Sequence, residues 1–216
     1  GLVRSEHMFF APSRLATVRE MILAPAGSAT RARALEKLEN VQRDDYAAIF
    51  EAMSGLPVTI RLLDPPLHEF LPDEADVPAD ATEMRAAIAR LREANPMLGL
   101  RGCRLGITSP DIVAMQARAI FEGALDARAD GEGADPRPDV MVPLVGTVAE
   151  FAHQAAIVRE TAAAVFAERG GAPVTFRVGT MIEIPRAALL AGAIAKGGAE
   201  FFSFGTNDLT QMTLGY

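Results

Sequence analysis

The stretches "TFRVGTMIEIPRAAL" and "AEFFSFGTNDLTQM" each push an acidic residue, Glu183 or Asp208, out of an apolar run whose composition argues for burial. Carboxylates at the ends of two consecutive strands suit a hard cation such as Mg2+, which takes one or two protein carboxylates and completes its shell with water and ligand oxygens. Earlier segments carry the opposite charge. Arg4 and Glu6 close the first strand candidate, Arg61 and Asp64 the second, and Arg101 and Arg104 lie in the third. A guanidinium presents a planar fork of donors matched to carboxylate and phosphate oxygens. Arginines early and carboxylates late describe a site for a small, multiply anionic substrate bridged by a metal. Each residue alone has an ordinary structural explanation. An arginine at a strand end pairs on the surface, Glu183 sits favourably ahead of the helix opened by Pro185, and Asp208 caps a helix after Asn207. Six such explanations would all have to fall on one edge.

The elements that must position these residues alternate in type. Strand candidates are the opening residues, 57–63, 100–107, 139–145, 175–184 and 200–205, each a short apolar or β-branched run bounded by Pro or Gly. Between them, 28–53 carries helical spacing after Ser28, a second helix opens at Ser109 and Pro110, a third runs from about 147 to 169 and stops at "GG", and a fourth starts at Pro185. Strand–helix alternation predicts parallel strands covered by helices, and ligands of such sheets collect at the carboxyl ends of the strands. "LPDEADVPADATE" and "DARADGEGADPRP" read as surface loops within one domain spanning 1–216.

Composition removes several function classes. Half of the 216 residues are apolar, enough for a sizeable core, and the net charge of -7 has no basic stretch to offset it, so nucleic acid and anionic membranes are excluded as partners. No apolar run approaches the roughly 18 residues of a membrane span. The single cysteine, Cys103, makes an internal disulfide impossible and fits a cytoplasmic setting. An opening without Met, already inside an apolar segment, reads as a piece of a longer protein.

The segments "GLVRSEHMFF", "GLPVTIRLLDPPLHEFLP", "NPMLGLRGCRLGIT", "MVPLVGT", "VGTMIEIPRAAL" and "FFSFGTNDLTQMTLGY" closely resemble, in order and over nearly the whole chain, the phosphoenolpyruvate-binding domain of pyruvate phosphate dikinase. Phosphoenolpyruvate synthase and enzyme I of the sugar phosphotransferase system share the "GTND" signal, but "RLLDPPLHEFLP" points to the dikinase. The resemblance implies an α/β fold, a (β/α)8 TIM-type barrel that is incomplete here, with about six of eight strands. It implies that Arg4, Arg61 and Arg101 hold the phosphate and carboxylate of phosphoenolpyruvate, that Glu183 and Asp208 ligate Mg2+, and that Thr206 and Asn207 bind substrate. In the ATP-dependent parent enzyme the phosphoryl group passes between a phosphohistidine on a separate domain and pyruvate enolate, and the parent pairs as a homodimer.

Departures from the family pattern set further expectations. The last two strands and a "CGEHGG"-like segment, whose cysteine protonates the enolate, are not in this sequence, and Cys103 is core rather than that acid. His7 and His68 are packing residues or support the site, His153 carries no signal, and no histidine here is the phosphocarrier. Ser5 stands where the family has Thr, and Leu100 where it often has His. The fragment alone is therefore expected to bind substrate without turning it over. Three alternatives remain beside this reading: a phosphoenolpyruvate synthase or enzyme I type relative, a Mg2+-dependent pyruvate lyase or aldolase, and a module serving dimerisation only.

Overall fold

A computed structural model of the chain describes residues 1–130, 134–170 and 172–215. Among them lie five strands, β1 (Leu2–Arg4), β2 (Pro57–Arg61), β3 (Arg137–Val142), β4 (Arg177–Ile182) and β5 (Phe202–Phe204). All neighbours pair in parallel, in the order β1-β2-β3-β4-β5, with Arg61 between Arg4 and Met141, and Thr180 beside Phe202. A sheet whose spatial order equals its chain order is wound in one direction, as in a barrel, whereas doubly wound sheets reverse. The sheet curls as an incomplete TIM-type barrel, and side chains from β1 and β5 at its two edges reach one cavity.

Strand alternation sorts side chains by face. Val3, Val58, Ile60, Leu62, Val140, Val142, Val178, Ile182 and Phe202 pack outward beneath helices. Leu2, Arg4, Arg61, Met141, Met181 and Glu183 stand at the alternate positions and line the inner cavity. The covering helices are α2 (Ala29–Ala52), α5 (Pro110–Asp130), α6 (Val148–Arg169) and α7 (Pro185–Lys196). Ser28 caps α2 by accepting from Arg31 N–H, and Thr147 caps α6 by accepting from Glu150 N–H. Gly170, at φ 68°, ends α6; Gly171, the second half of the expected "GG" stop, lies outside the described residues. α2 and α5 cross closely at Gly123, where a Cβ would come within 2.6 Å of the Arg43 carbonyl. A satellite core joins α1 (Pro12–Leu23) and α3 (Thr82–Leu91) to the residues after β2, with Phe70 stacked on Phe10 and edge-on to Phe9. No helix among the described residues is long and apolar enough to cross a membrane.

The structure corrects one expected strand. Residues 100–107 are not a strand: Gly102–Thr108 form α4, so five strands rather than six are seen among the described residues. Gly102, Cys103, Leu105 and Gly106 are buried in a helical rhythm, which a short apolar run cannot disclose without its surroundings. The expected loop 126–138 is shorter as well, because α5 continues to Asp130; residues 131–133 lie outside the described residues.

Candidate functional site

Four connections deliver charged side chains to one cavity of about 350 Å³ at the carboxyl ends of the strands, lined by Arg4, Arg61, Asp64, Arg101, Glu183, Thr206, Asn207 and Asp208 with Leu2, Met141, Met181 and Phe204. Every residue singled out in the sequence for phosphate, carboxylate, metal or substrate contact lines it. Arg4 and Arg61 sit side by side as the last paired residues of β1 and β2. Arg101 is the extended residue before α4, and Thr206, Asn207 and Asp208 form the first turn of α8 (Thr206–Leu214). Gly205, rather than Asp208, takes the N-cap position of α8.

The arginines differ in their engagement. Arg61 donates to Glu6 through Nη2 and pairs with Asp64 through Nη1 at 3.0 Å. Arg101 Nη2 lies 2.8 Å from Asp64 and 3.4 Å from Asp208. Asp64 therefore bridges two guanidiniums with one oxygen, while its other oxygen is buried without a hydrogen-bond partner among the described residues. Burial works against the charge on Arg101, but Asp64, Asp208 and Glu183 together raise its pKa, so it stays a cation. Arg4 is exposed and has no side-chain partner among the described residues, which leaves its donors for an incoming anion. Arg104 turns away: it donates to the Met97 and Gly99 carbonyls at 3.2 and 2.9 Å and braces the loop that carries Arg101.

Glu183 is 2% exposed. Its carboxyl is pushed up to about 7, first by burial and then by the charges of Asp64 and Asp208, against which a hydrogen bond from Leu144 N–H and the charge of Arg101 act. The Leu144 N–H lies 2.7 Å from Glu183 Oε1. Leu144 takes φ 65°, an uncommon conformation for a branched side chain, and its neighbours hold it there. Cys103 Sγ donates to the Leu144 carbonyl at 3.1 Å, Cys103 N–H donates to the Pro143 carbonyl at 3.0 Å, and Gly102 N–H donates to the Asp64 carbonyl at 3.0 Å. Gly102 itself adopts φ 53°, and a Cβ there would come within 2.8 Å of Leu144 Cβ. The segment that presents Arg101 thus also sets the backbone donor for Glu183. At Gly205 a side chain would collide with the Glu183 carboxylate.

Cys103 is buried core, as expected, with its thiol pushed up to about 12 chiefly by burial. His7 is exposed rather than packed, and His68 is half-buried in a separate surface groove. Glu6, Leu144, Gly102 and Gly205 went unassigned in the sequence. Glu6 stood at the end of the first strand candidate without a role, Leu144 acts through its backbone, and the two glycines abut a site arginine and the Thr206–Asp208 turn, which is the one sequence signal available for them.

The family described as "PEP-utilising enzyme, PEP-binding domain" matches residues 1–216. Similar curated proteins include pyruvate, phosphate dikinase 1, chloroplastic, of Arabidopsis thaliana, 55% identical over all of this chain and 23% of that protein. Pyruvate, phosphate dikinase, chloroplastic, of Mesembryanthemum crystallinum is 54% identical with the same coverage, and pyruvate, phosphate dikinase 2 of Zea mays is 53% identical over all of this chain and 25% of that protein. The chain spans about a quarter of the length of these relatives.

Proposed function

Because the chain belongs to the PEP-binding domain family of PEP-utilising enzymes, we propose that its cavity binds phosphoenolpyruvate or pyruvate with Mg2+ and, within a longer dikinase, serves phosphoryl transfer between a phosphohistidine and pyruvate enolate. The observation that carries this reading is the convergence of Arg4, Arg61 and Arg101 with Glu183 and Asp208 on one small cavity. Three guanidiniums are more phosphate-handling capacity than a pyruvate lyase or aldolase needs, which favours the phosphotransferase over that alternative.

The donor set fits Mg2+. Glu183 and Asp208 are hard oxygen donors on neighbouring connections, and a cation there would offset the burial and repulsion that push the Glu183 carboxyl up. When bound, Mg2+ would neutralise charge on the phosphoryl and enolate oxygens. The chain's own residues do the positioning. Arg4, with its free donors, takes the phosphate or carboxylate; Arg61 and Arg101, held by Asp64, present fixed forks that oppose charge spreading over the transferring group. The N–H groups in the first turn of α8, which no side chain of the N-cap residue Gly205 caps, add positive potential on the same side.

Calorimetry tests the reading: Mg2+-dependent binding of phosphoenolpyruvate or oxalate is expected, and its loss in Glu183→Ala and in Asp208→Ala. Unchanged binding in both variants removes the metal assignment. The phosphohistidine domain of a longer chain, a homodimer and a cytoplasmic setting complete the proposal. Leu189 on α7, 88% exposed, supplies apolar surface for a partner copy, and light scattering reads that state directly.

A further inference from the structure

We propose that Glu6, to which no role has been assigned, is a positioning residue: it clamps the Arg61 guanidinium in its substrate-holding orientation and thereby strengthens binding of a phosphorylated anion, although its own charge repels one. The inference rests on the proposed phosphoenolpyruvate site.

Glu6 lies just beyond β1 in a 3₁₀ turn, Ser5–Met8, and is 6% exposed. That turn is itself pinned. Phe9 N–H donates to the Glu6 carbonyl at 3.0 Å, and Arg14 Nη1 donates to the Met8 carbonyl at 3.1 Å while Arg14 Nη2 reaches Asp45 on α2 at 2.9 Å. The carboxylate is thus held by backbone that cannot easily follow a moving partner. It accepts from Arg61 Nη2 on one side of the guanidinium, and Asp64 takes Nη1 on the other. A fork gripped at both terminal nitrogens has lost its rotational freedom before any ligand arrives, and three of its five N–H donors have no partner among the described residues, the buried Nε–H among them. An arginine left free would give up that side-chain entropy at the moment of binding instead.

Two effects of removing Glu6 oppose each other, and their signs differ. As a charge, Glu6 repels an anionic ligand, so its loss should tighten binding. As a clamp, its loss should weaken binding. The clamp prevails because the pair is nearly dry and Arg61 is 14% exposed in its side chain, so the orientation it sets is not one that solvent would supply.

The test measures phosphoenolpyruvate binding to the chain in the presence of Mg2+, with Mg2+ binding alone as a control. Glu6→Leu should weaken phosphoenolpyruvate by about a hundredfold and Glu6→Gln, which keeps an oxygen acceptor for Nη2, by about tenfold, both with unchanged Mg2+ affinity. In an Arg61→Met background the weakening should vanish, leaving only the tightening expected from removing a charge that repels the anion. Tighter binding in Glu6→Gln, or an undiminished effect in the Arg61→Met background, overturns the proposal. A second measurement separates it from the function on which it rests: nuclear relaxation of the Arg61 Nε–H in the ligand-free chain should report a rigid side chain that becomes mobile in Glu6→Gln. If the wild-type chain ignores phosphoenolpyruvate, the proposed function fails; if Arg61 is equally ordered in both proteins, the clamp fails.

Discussion

Replacing Glu183 by Gln keeps the shape of the side chain and an acceptor for the Leu144 N–H, and removes only the charge. The carboxyl rises from 4.5 to about 7 in the folded chain because burial and the neighbouring Asp64 and Asp208 disfavour ionisation. Below the unfolded value both states carry the proton and the wild type suffers no penalty. Between 4.5 and about 7 the unfolded state ionises first, so wild-type stability falls as pH rises, and above 7 the full penalty stands. A rise of that size corresponds to about 3 kcal/mol. Urea unfolding of both proteins in chelator from pH 4.5 to 8 should give superimposed stabilities at the acid end and a Glu183→Gln advantage approaching that figure at pH 8. Groups common to both proteins cancel in the difference. Adding Mg2+ at pH 8 should close the gap by stabilising the wild type alone, since a ligand that binds only the folded state raises its stability. Stability curves that run parallel from pH 4.5 to 8 would refute the electrostatic reasoning, and a gap indifferent to Mg2+ would refute the metal site.

Arg4→Gln should weaken phosphoenolpyruvate about tenfold while moving unfolding stability by less than about 0.5 kcal/mol, because the side chain is exposed and has no partner among the described residues; calorimetry and urea melts read the two effects. Gly102→Ala should cost about 2 kcal/mol, from its positive φ and the contact with Leu144, and should lower Mg2+ affinity by displacing the donor to Glu183. Gly123→Ala should cost a similar amount in urea melts and leave Mg2+ affinity alone, since it forces apart α2 and α5 far from the cavity. Cys103, buried and with its thiol pushed up to about 12, should resist a thiol reagent at pH 8 in the native chain and react at once in urea; rapid native labelling would contradict its packing.

Much of the site was legible in the sequence because strand ends are local features. Arg4, Arg61, Glu183 and Asp208 stand where apolar runs stop, and parallel strands must all stop on the same side. Arg101 was placed correctly at that edge for the wrong local reason: it precedes a helix, not a strand, and reaches the cavity because Gly102 and Cys103 bond to the carbonyls of Asp64 and Pro143. An apolar run of eight residues obeys either period about equally, so its neighbours decided its state.

The sequence by itself determined the alternation of strand and helix, the edge at which chemistry collects and the signs of the charges gathered there, since all three follow from periodicities of two to four residues and from residue type. Only the tertiary structure decided that Glu6 grips Arg61 from 55 positions away, that a Leu144 N–H from another connection meets Glu183, and that burial and neighbouring carboxylates push the Glu183 carboxyl up. Hydrogen bonding, desolvation and Coulomb energy depend on distances through space, and chain separation does not encode those distances.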